Sequence, residues 1–377
     1  MRVRVANGRG VINLGIGVPE VVAAVAAEER LLSHLTLTAE PGVIGGMPQG
    51  GLDFGAAINV DALLHQNQQF DFYDGGGLDL ACLGMAEVDR CGNVNVSRFG
   101  PRLAGAGGFI NISQNASCVV FAGTFTAGGL EIRVADGRLA IITEGTKRKF
   151  VESVEQITFN GSLAAERGQS VLYVTERCVF RRVPEGLELT EIAPGIDLER
   201  DVLAHMDFMP IMRDVRLMDA DIFLPPILNL SSILFERQLR NRLSYDAERN
   251  TLFANFEGVG IRSTDDIESV RRVMQALCED IGHKVSLIVN YDGCRLDDPI
   301  AEAYFAMARR LQSRYYCSAT RFTASAFMRM KLGAAFSGRG DASRIFRTQT
   351  EASAFVVSQR GDVAREPIDD AARYMHE

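Results

Sequence analysis

Short apolar runs of strand length, separated by glycine-rich turns, fill the first two hundred residues, and a different pattern follows. Residues 11–17 form one such run, which Val18-Pro19 breaks into an alanine- and glutamate-rich stretch reaching Glu29. Alanine and glutamate favour helix, and proline suits a first helical turn, where its missing N–H would have had no partner. A second strand is predicted over 35–38, ending at Ala39-Glu40-Pro41-Gly42, with further strands over 78–83, 117–122, 131–134, 139–142 and 170–175. Strands alternating with helices and glycine turns predict an α/β fold built on an open, mostly parallel sheet.

Beyond about residue 215, strands over 243–245 and 251–256 flank a turn-rich segment and read as a hairpin. A helix is predicted from the Ser263-Thr264 cap to Gly282, because Ile267, Val270, Val273, Met274, Leu277 and Ile281 recur as one stripe. Strands over 285–289 and 317–322, a helix opened by Asp298-Pro299 and a short helix over 325–332 complete a ββαβαβα order. That order resembles the small STAS-type domain, a ligand- or partner-binding module, and the likeness concerns fold alone. The expected organisation is a larger α/β domain over 1–215, a smaller α/β domain over 216–345 and a polar tail over 346–377.

A length of 377 residues exceeds what one compact core usually holds, which agrees with two domains. The formal charge of −8 argues against nucleic acid, which requires a basic face. The densest basic run, Thr146-Lys147-Arg148-Lys149, reads as a solvated loop or helix end. Seven scattered cysteines contain no C-x-x-C pair and five histidines show no ligand spacing, so neither a metal site nor a disulfide framework is expected. With no apolar leader and no bilayer-length run, the expectation is a cytoplasmic protein without membrane contact.

Glu40 closes an apolar strand, where open α/β sheets place their ligands, and glycines that allow close backbone approach follow it at 42, 45, 46, 50 and 51. A carboxylate so placed can attack an acyl group, or it can simply accept turn hydrogen bonds or pair with an arginine. Two further constellations are Tyr73-Asp74-Gly75-Gly76-Gly77-Leu78-Asp79 and Ala104-Gly105-Ala106-Gly107-Gly108-Phe109-Ile110-Asn111. A G-x-G-G loop can aim successive amide donors at an anion, and it can equally be a turn. Neither constellation is the dinucleotide fingerprint.

Taken in order, Ile12-Asn13-Leu14-Gly15-Ile16-Gly17-Val18-Pro19, Ala39-Glu40-Pro41-Gly42 and both glycine constellations resemble the family I CoA-transferases, specifically the acyl-CoA:acetate/3-ketoacid type. Gly92-Asn93-Val94-Asn95-Val96-Ser97, Gly123-Thr124-Phe125-Thr126-Ala127-Gly128-Gly129 and Glu191-Ile192-Ala193-Pro194-Gly195-Ile196-Asp197 extend the resemblance, which runs over residues 3–212. The resemblance implies that Glu40 forms a γ-glutamyl-CoA thioester. It places a backbone N–H of Gly107 or Gly108, in the loop that begins at Gly105, in the oxyanion hole. It sets Gly15, Gly17, Gly42, Gly75, Gly76, Gly77 and Phe109 around CoA and substrate. An acyl-CoA and a short-chain carboxylate are the implied substrates, with CoA itself a substrate and no other cofactor. Such enzymes pair two similar α/β halves, and this chain resembles the glutamate-bearing β-type half. An α-type half or subunit is therefore the implied partner, in a homo- or hetero-oligomer. Acyl-CoA hydrolysis and a non-catalytic acyl-CoA-binding regulatory module are the alternative readings; a hydrolase needs only that water reach the thioester.

Overall fold

The computed structural model describes residues 10–224, 230–336, 345–358 and 367–368, and the chain divides into two compact units, residues 1–228 and 229–377. The division falls later than 215/216 because Arg216–Leu217 adds a strand to the edge of the first sheet, and Met218 and Phe223 are buried in its core.

The first unit is built on five parallel strands: β1 (Gly10–Leu14), β2 (Leu35–Ala39), β3 (Leu80–Gly84), β4 (Cys118–Ala122) and β5 (Ser170–Val174). Their spatial order is β5-β4-β3-β1-β2. Antiparallel β6 (Cys178–Val183) and β7 (Gly186–Ile192) extend one edge, and Val43–Ile44 and Ala62–Leu63 extend the other. The sequence reading had no strands at β6 and β7. The runs over 131–134 and 139–142 are strands, but they pair only with each other as the hairpin Glu131–Ala135 and Arg138–Thr143, outside the main sheet. The run over 11–17 is strand only to Leu14; Gly15 to Gly17 turn into a short 3-10 segment before α1 (Val21–Glu28).

Side chains alternate across a strand, so each strand feeds two cores. On one face Ile12, Leu14, Leu37, Leu80 and Cys82 meet Ala23 of α1. On the other Ala81, Leu83, Val119, Phe121, Val171 and Tyr173 pack with Tyr73 of α2 (Gln66–Asp74), Ile112 of α3 (Phe109–Asn115) and Ala164 of α4 (Gly161–Glu166). The second core is much the larger. Beside it Arg177 is fully buried, bonded to Glu144 at 2.7 Å, Glu176 at 2.7 Å and the Asp201 carbonyl at 2.8 Å, with Phe125 beneath its guanidinium.

The second unit has a sheet in the order β8 (Leu243–Asp246), β9 (Thr251–Asn255), β10 (Val285–Asn290), β11 (Tyr316–Phe322) and β12 (Ile345–Phe346). Only the β8–β9 pairing is antiparallel. Helix α5 (Leu230–Arg240), absent from the sequence reading, precedes it. α6 (Thr264–Ile281) starts where expected, since Ser263 accepts the Asp266 N–H and Asp266 accepts the Ser263 N–H; Gly282 ends it in a left-handed conformation. Its predicted stripe packs on the sheet with α7 (Ala301–Tyr315) and α8 (Ala326–Phe336). Residues 349–358, expected within a polar tail, instead form α9 (Gln349–Ser358), whose Ala352 and Val356 cover Ile288 and Phe322 on the opposite face. Among the described residues no helix is long and apolar enough to cross a membrane.

Arg177→Met strands two half-dry carboxylates and is expected to destabilise the first unit by about 3–5 kcal/mol in urea unfolding followed by circular dichroism. Burial alone would raise Glu144, but hydrogen bonds from Arg177 and Thr126 and the Arg177 charge outweigh it and hold the carboxyl below its ordinary value. The stabilisation from that ionised partner is present above the ordinary carboxylate range and lost as pH falls through the lowered value. The deficit of the variant should therefore shrink in acid; a pH-independent deficit would contradict the electrostatic account.

Candidate active site

β2 delivers Glu40 to the carboxyl edge of the sheet, and the chain turns there, with the Gly42 N–H donating back to the Ala39 carbonyl at 3.1 Å. Gly42 is irreplaceable in this turn: its φ is +122°, and a Cβ would lie 2.1 Å from the Leu64 carbonyl oxygen. Glu40 is half-buried on the side of the sheet that carries α2 and α3.

Beneath the turn lies a closed polar network. The Asn13 side-chain amide donates to the Tyr73 hydroxyl at 3.1 Å and that of Gln69 at 2.7 Å. The hydroxyl donates in turn to Thr38 Oγ1 at 3.0 Å, and Thr38 donates to the Ile12 carbonyl at 3.0 Å. All four side chains are buried. Burial raises the Tyr73 phenol above its ordinary value against the pull of these three partners, and the Glu40 charge nearby raises it further.

The G-x-G-G loop closes the other side. Gly108 caps α3, and its backbone amide faces the Glu40 carboxylate and favours its charge. Burial pushes Glu40 above the ordinary carboxylate value, and this N–H opposes the rise. No side chain fits at Gly108: a Cβ would lie 2.5 Å from Phe70 Cζ and 2.7 Å from Glu40 Oε2. α3 is tied to α2 by Asp74, which accepts from Asn111 at 3.0 and 3.1 Å and from Asn115 at 3.0 Å. The two glycine constellations are thus joined through Asp74 and Asn111.

The glycines named from the resemblance do different things. The N–H groups of Gly75, Gly76 and Gly77 return to the carbonyls of Asp71, Tyr73 and Phe72, each at 3.0 Å, and terminate α2. The Gly15 N–H goes to the Cys82 carbonyl at 2.8 Å, and that of Gly105 to Ser97 at 3.1 Å. The Gly17 N–H goes to Glu20 at 2.8 Å; the same carboxylate takes the Gly51 N–H at 3.0 Å, linking the turn after β1 to the loop after Glu40. Gly107 lies exposed in a left-handed conformation beside Gly108. Phe109 packs inward against Phe121 at 5.8 Å between ring centroids. The structure therefore brings together Glu40, Gly108 and the turn at Gly42, with Asn13, Thr38, Gln69 and Tyr73 as supports that sequence reasoning passed over. The available signal was Gln69, Phe70, Tyr73 and Asp74 recurring at helical spacing.

Lys149 departs from the sequence reading of its basic run. Lys147 and Arg148 are exposed, but Lys149 is 8% exposed, and burial lowers its ammonium to about 8 against the opposing charge of Glu176. Its Nζ lies 3.0 Å from where a Cβ on Gly123 would stand, just past β4 and on the same edge of the sheet as Glu40. Its place at the head of the apolar pair Phe150-Val151 was the available sign.

A half-buried carboxylate held by a backbone N–H at the carboxyl edge of a parallel sheet suits a nucleophile or a buried acid. Comparison with known proteins narrows the class. The chain is 47% identical over 218 residues to the caffeate CoA-transferase of Acetobacterium woodii, covering 56% of this chain and 41% of that protein. It is 46% identical over 213 residues to the acetate CoA-transferase YdiF of Escherichia coli O157:H7, covering 56% and 40%. The crystal structure of that acyl-CoA transferase as a thioester complex with CoA superposes with a TM-score of 0.56 at 42% identity, over 60% of this chain and 43% of that one. The beta subunit of an acetate CoA-transferase of E. coli K12 is 29% identical over 199 residues, 50% of this chain and 80% of the subunit. No family model matches the chain. The chain is thus similar to proteins named as CoA-transferases, and it spans less than half the length of the first two of these relatives.

Gly108→Ala is expected to displace the Glu40 carboxylate and remove its N–H donor. Glu40 should then titrate higher than in the parent, read by carbon-detected NMR of labelled glutamate, with the circular dichroism unchanged. An unaltered titration would mean that Gly108 does not hold the carboxylate.

Proposed function

We propose that this chain supplies the glutamate-bearing half of a CoA-transferase, moving CoA between an acyl-CoA and a short-chain carboxylate through a thioester on Glu40. The observation that carries this reading is the Glu40 carboxylate set against the Gly108 N–H at the sheet edge. In the first step the carboxylate attacks the donor acyl carbonyl and expels CoA thiolate, leaving a mixed anhydride. The thiolate then attacks the Glu40 carbonyl and expels the donor acid, leaving a γ-glutamyl-CoA thioester. An acceptor carboxylate attacks that thioester and again releases thiolate, which attacks the acceptor acyl group; the new acyl-CoA departs and Glu40 is restored.

Whenever thiolate or carboxylate adds to the Glu40 carbonyl, the negative charge develops on an oxygen of Glu40 itself. The Gly108 amide already faces that carboxylate, so it is placed to stabilise the charge as it develops. Partial desolvation leaves the carboxylate less well solvated and a better nucleophile, while the polar support beneath it fixes its direction. A carboxylate remains a weak nucleophile, and the remaining rate must come from binding the remote body of CoA.

An α-type half or subunit is the proposed partner. The similarity to the beta subunit of an acetate CoA-transferase of E. coli K12 supports this reading. The face of the sheet under α1 is consistent with it: Ile16, Val18, Val21, Val25 and Leu52 are exposed beside a thin core. Exposed apolar residues concentrated on one helix and its flanking turns are what a contact would cover. Hydrolysis of the same thioester is the second reading, and it differs only in whether water reaches Glu40.

Mixing the chain with acetyl-CoA, alone and with a supplied α-type half, and mapping adducts by peptide mass spectrometry tests this proposal. A CoA adduct on the Glu40 peptide that acetate removes is expected, and loss to water at the same rate would make the protein a hydrolase. Glu40→Gln should abolish the adduct without unfolding. Because Glu40 lies above its ordinary value, its ionisation costs stability as pH rises through that value. The variant should therefore be at least as stable as the parent at neutral pH, and undiminished turnover in it would remove Glu40 from the mechanism.

A further inference from the structure

The second unit carries a buried cation that the chemistry above does not use. Arg321 lies on β11, between Val289 of β10 and Ile345 of β12, and is 2% exposed. One of its nitrogens donates to Gln312 at 3.1 Å, and its guanidinium carbon sits 3.7 Å from the centroid of Phe336. Its Nε and Nη1 have no partner. The ring attracts the charge but offers the N–H groups no lone pair, so the cation–π contact leaves Nε and Nη1 unsatisfied.

A guanidinium cannot escape by losing its proton, and an unpaired charge is expensive in an apolar core. Arg177 in the first unit solves this with two glutamates. Around Arg321 a cavity of about 30 Å³ opens instead, bordered by Met274, Met307, Leu311, Tyr291, Tyr304 and Tyr316. The Tyr291 and Tyr304 hydroxyls bond to each other at 2.7 Å, with Tyr291 beside Arg321, while the buried Tyr316 hydroxyl makes no well-formed hydrogen bond and faces the Cys278 thiol. The charged and titratable groups facing these phenols are Arg321, Cys278 and Cys294. Among the described residues no carboxylate lines the cavity.

We propose that this cavity is a site for a small monovalent inorganic anion of chloride size, held by the free N–H groups of Arg321 with the Tyr316 hydroxyl as an added donor. The volume admits one or two water-sized species and excludes a phosphate ester or an organic acid. The anion compensates a permanent charge buried on β11.

Hydrogen exchange of the full chain, read by mass spectrometry on β10 and β11 peptides, tests the site. Chloride is compared with gluconate, which is too large to enter, at constant ionic strength. Exchange in these strands should slow about tenfold at ten times the half-saturating chloride concentration, with bromide acting likewise. Arg321→Met should abolish the difference between the salts. Crystals of the unaltered chain grown in bromide provide a readout independent of that variant's folding, and an anomalous peak is expected at the guanidinium. Equal protection in both salts, a chloride response retained in Arg321→Met, or water alone in the cavity would overturn the proposal.

Discussion

The hydroxyl of Tyr73 sits where three elements of the first unit converge: β1 through Asn13, β2 through Thr38 and its own helix through Gln69. A phenol buried at that depth must have every hydrogen-bonding direction answered, and each answer fixes another element. Phe70 and Asp74 lie on adjoining turns of the same helix, one against Gly108 and the other holding α3. The position of Glu40 relative to its backbone donor follows from that single helix being seated correctly. Any change that rotates α2 moves the support, the aromatic wall and the donor loop together.

The two faces of the first sheet are unequal for a related reason. The face bearing α2, α3 and α4 is closed by a large aromatic core in which Phe121 lies within 4.9 Å of Phe159 and 5.4 Å of Tyr173. The face bearing α1 has few buried residues and valines turned to solvent. The candidate site is thus built on the face that is self-sufficient, and the other face is the one with apolar residues left exposed.

The two buried arginines show opposite solutions to one electrostatic problem. Arg177 is satisfied by carboxylates from its own unit and braces the segments around Glu144 and Asp201. Arg321 has a ring, an amide and a void. A protein pays for an unpaired internal charge only if something offsets it, and the void marks where that offset is available.

Much of this was legible in the chain itself. Short apolar runs and one helical stripe located the parallel strands and α6, and the turn glycines after β2 pointed to Glu40 at a strand end, because local propensity and burial agree there. α2 escaped because Gln66, Asn67, Gln68 and Gln69 make no apolar stripe; its seat is decided by Tyr73 and by polar contacts from other elements. The 131–143 hairpin read as sheet strands because a strand's partner is not encoded in its own residues. Lys149 and α9 read as solvated for the same reason, since charge and polarity describe a side chain and not the surface that covers it. The sequence by itself determined where the parallel strands and α6 form and which carboxylate closes β2. Only the tertiary structure decided which glycine faces that carboxylate, which polar groups support it and which arginine is buried without a carboxylate. Those depend on contacts between residues tens of positions apart, and chain entropy makes such contacts a property of the packed whole.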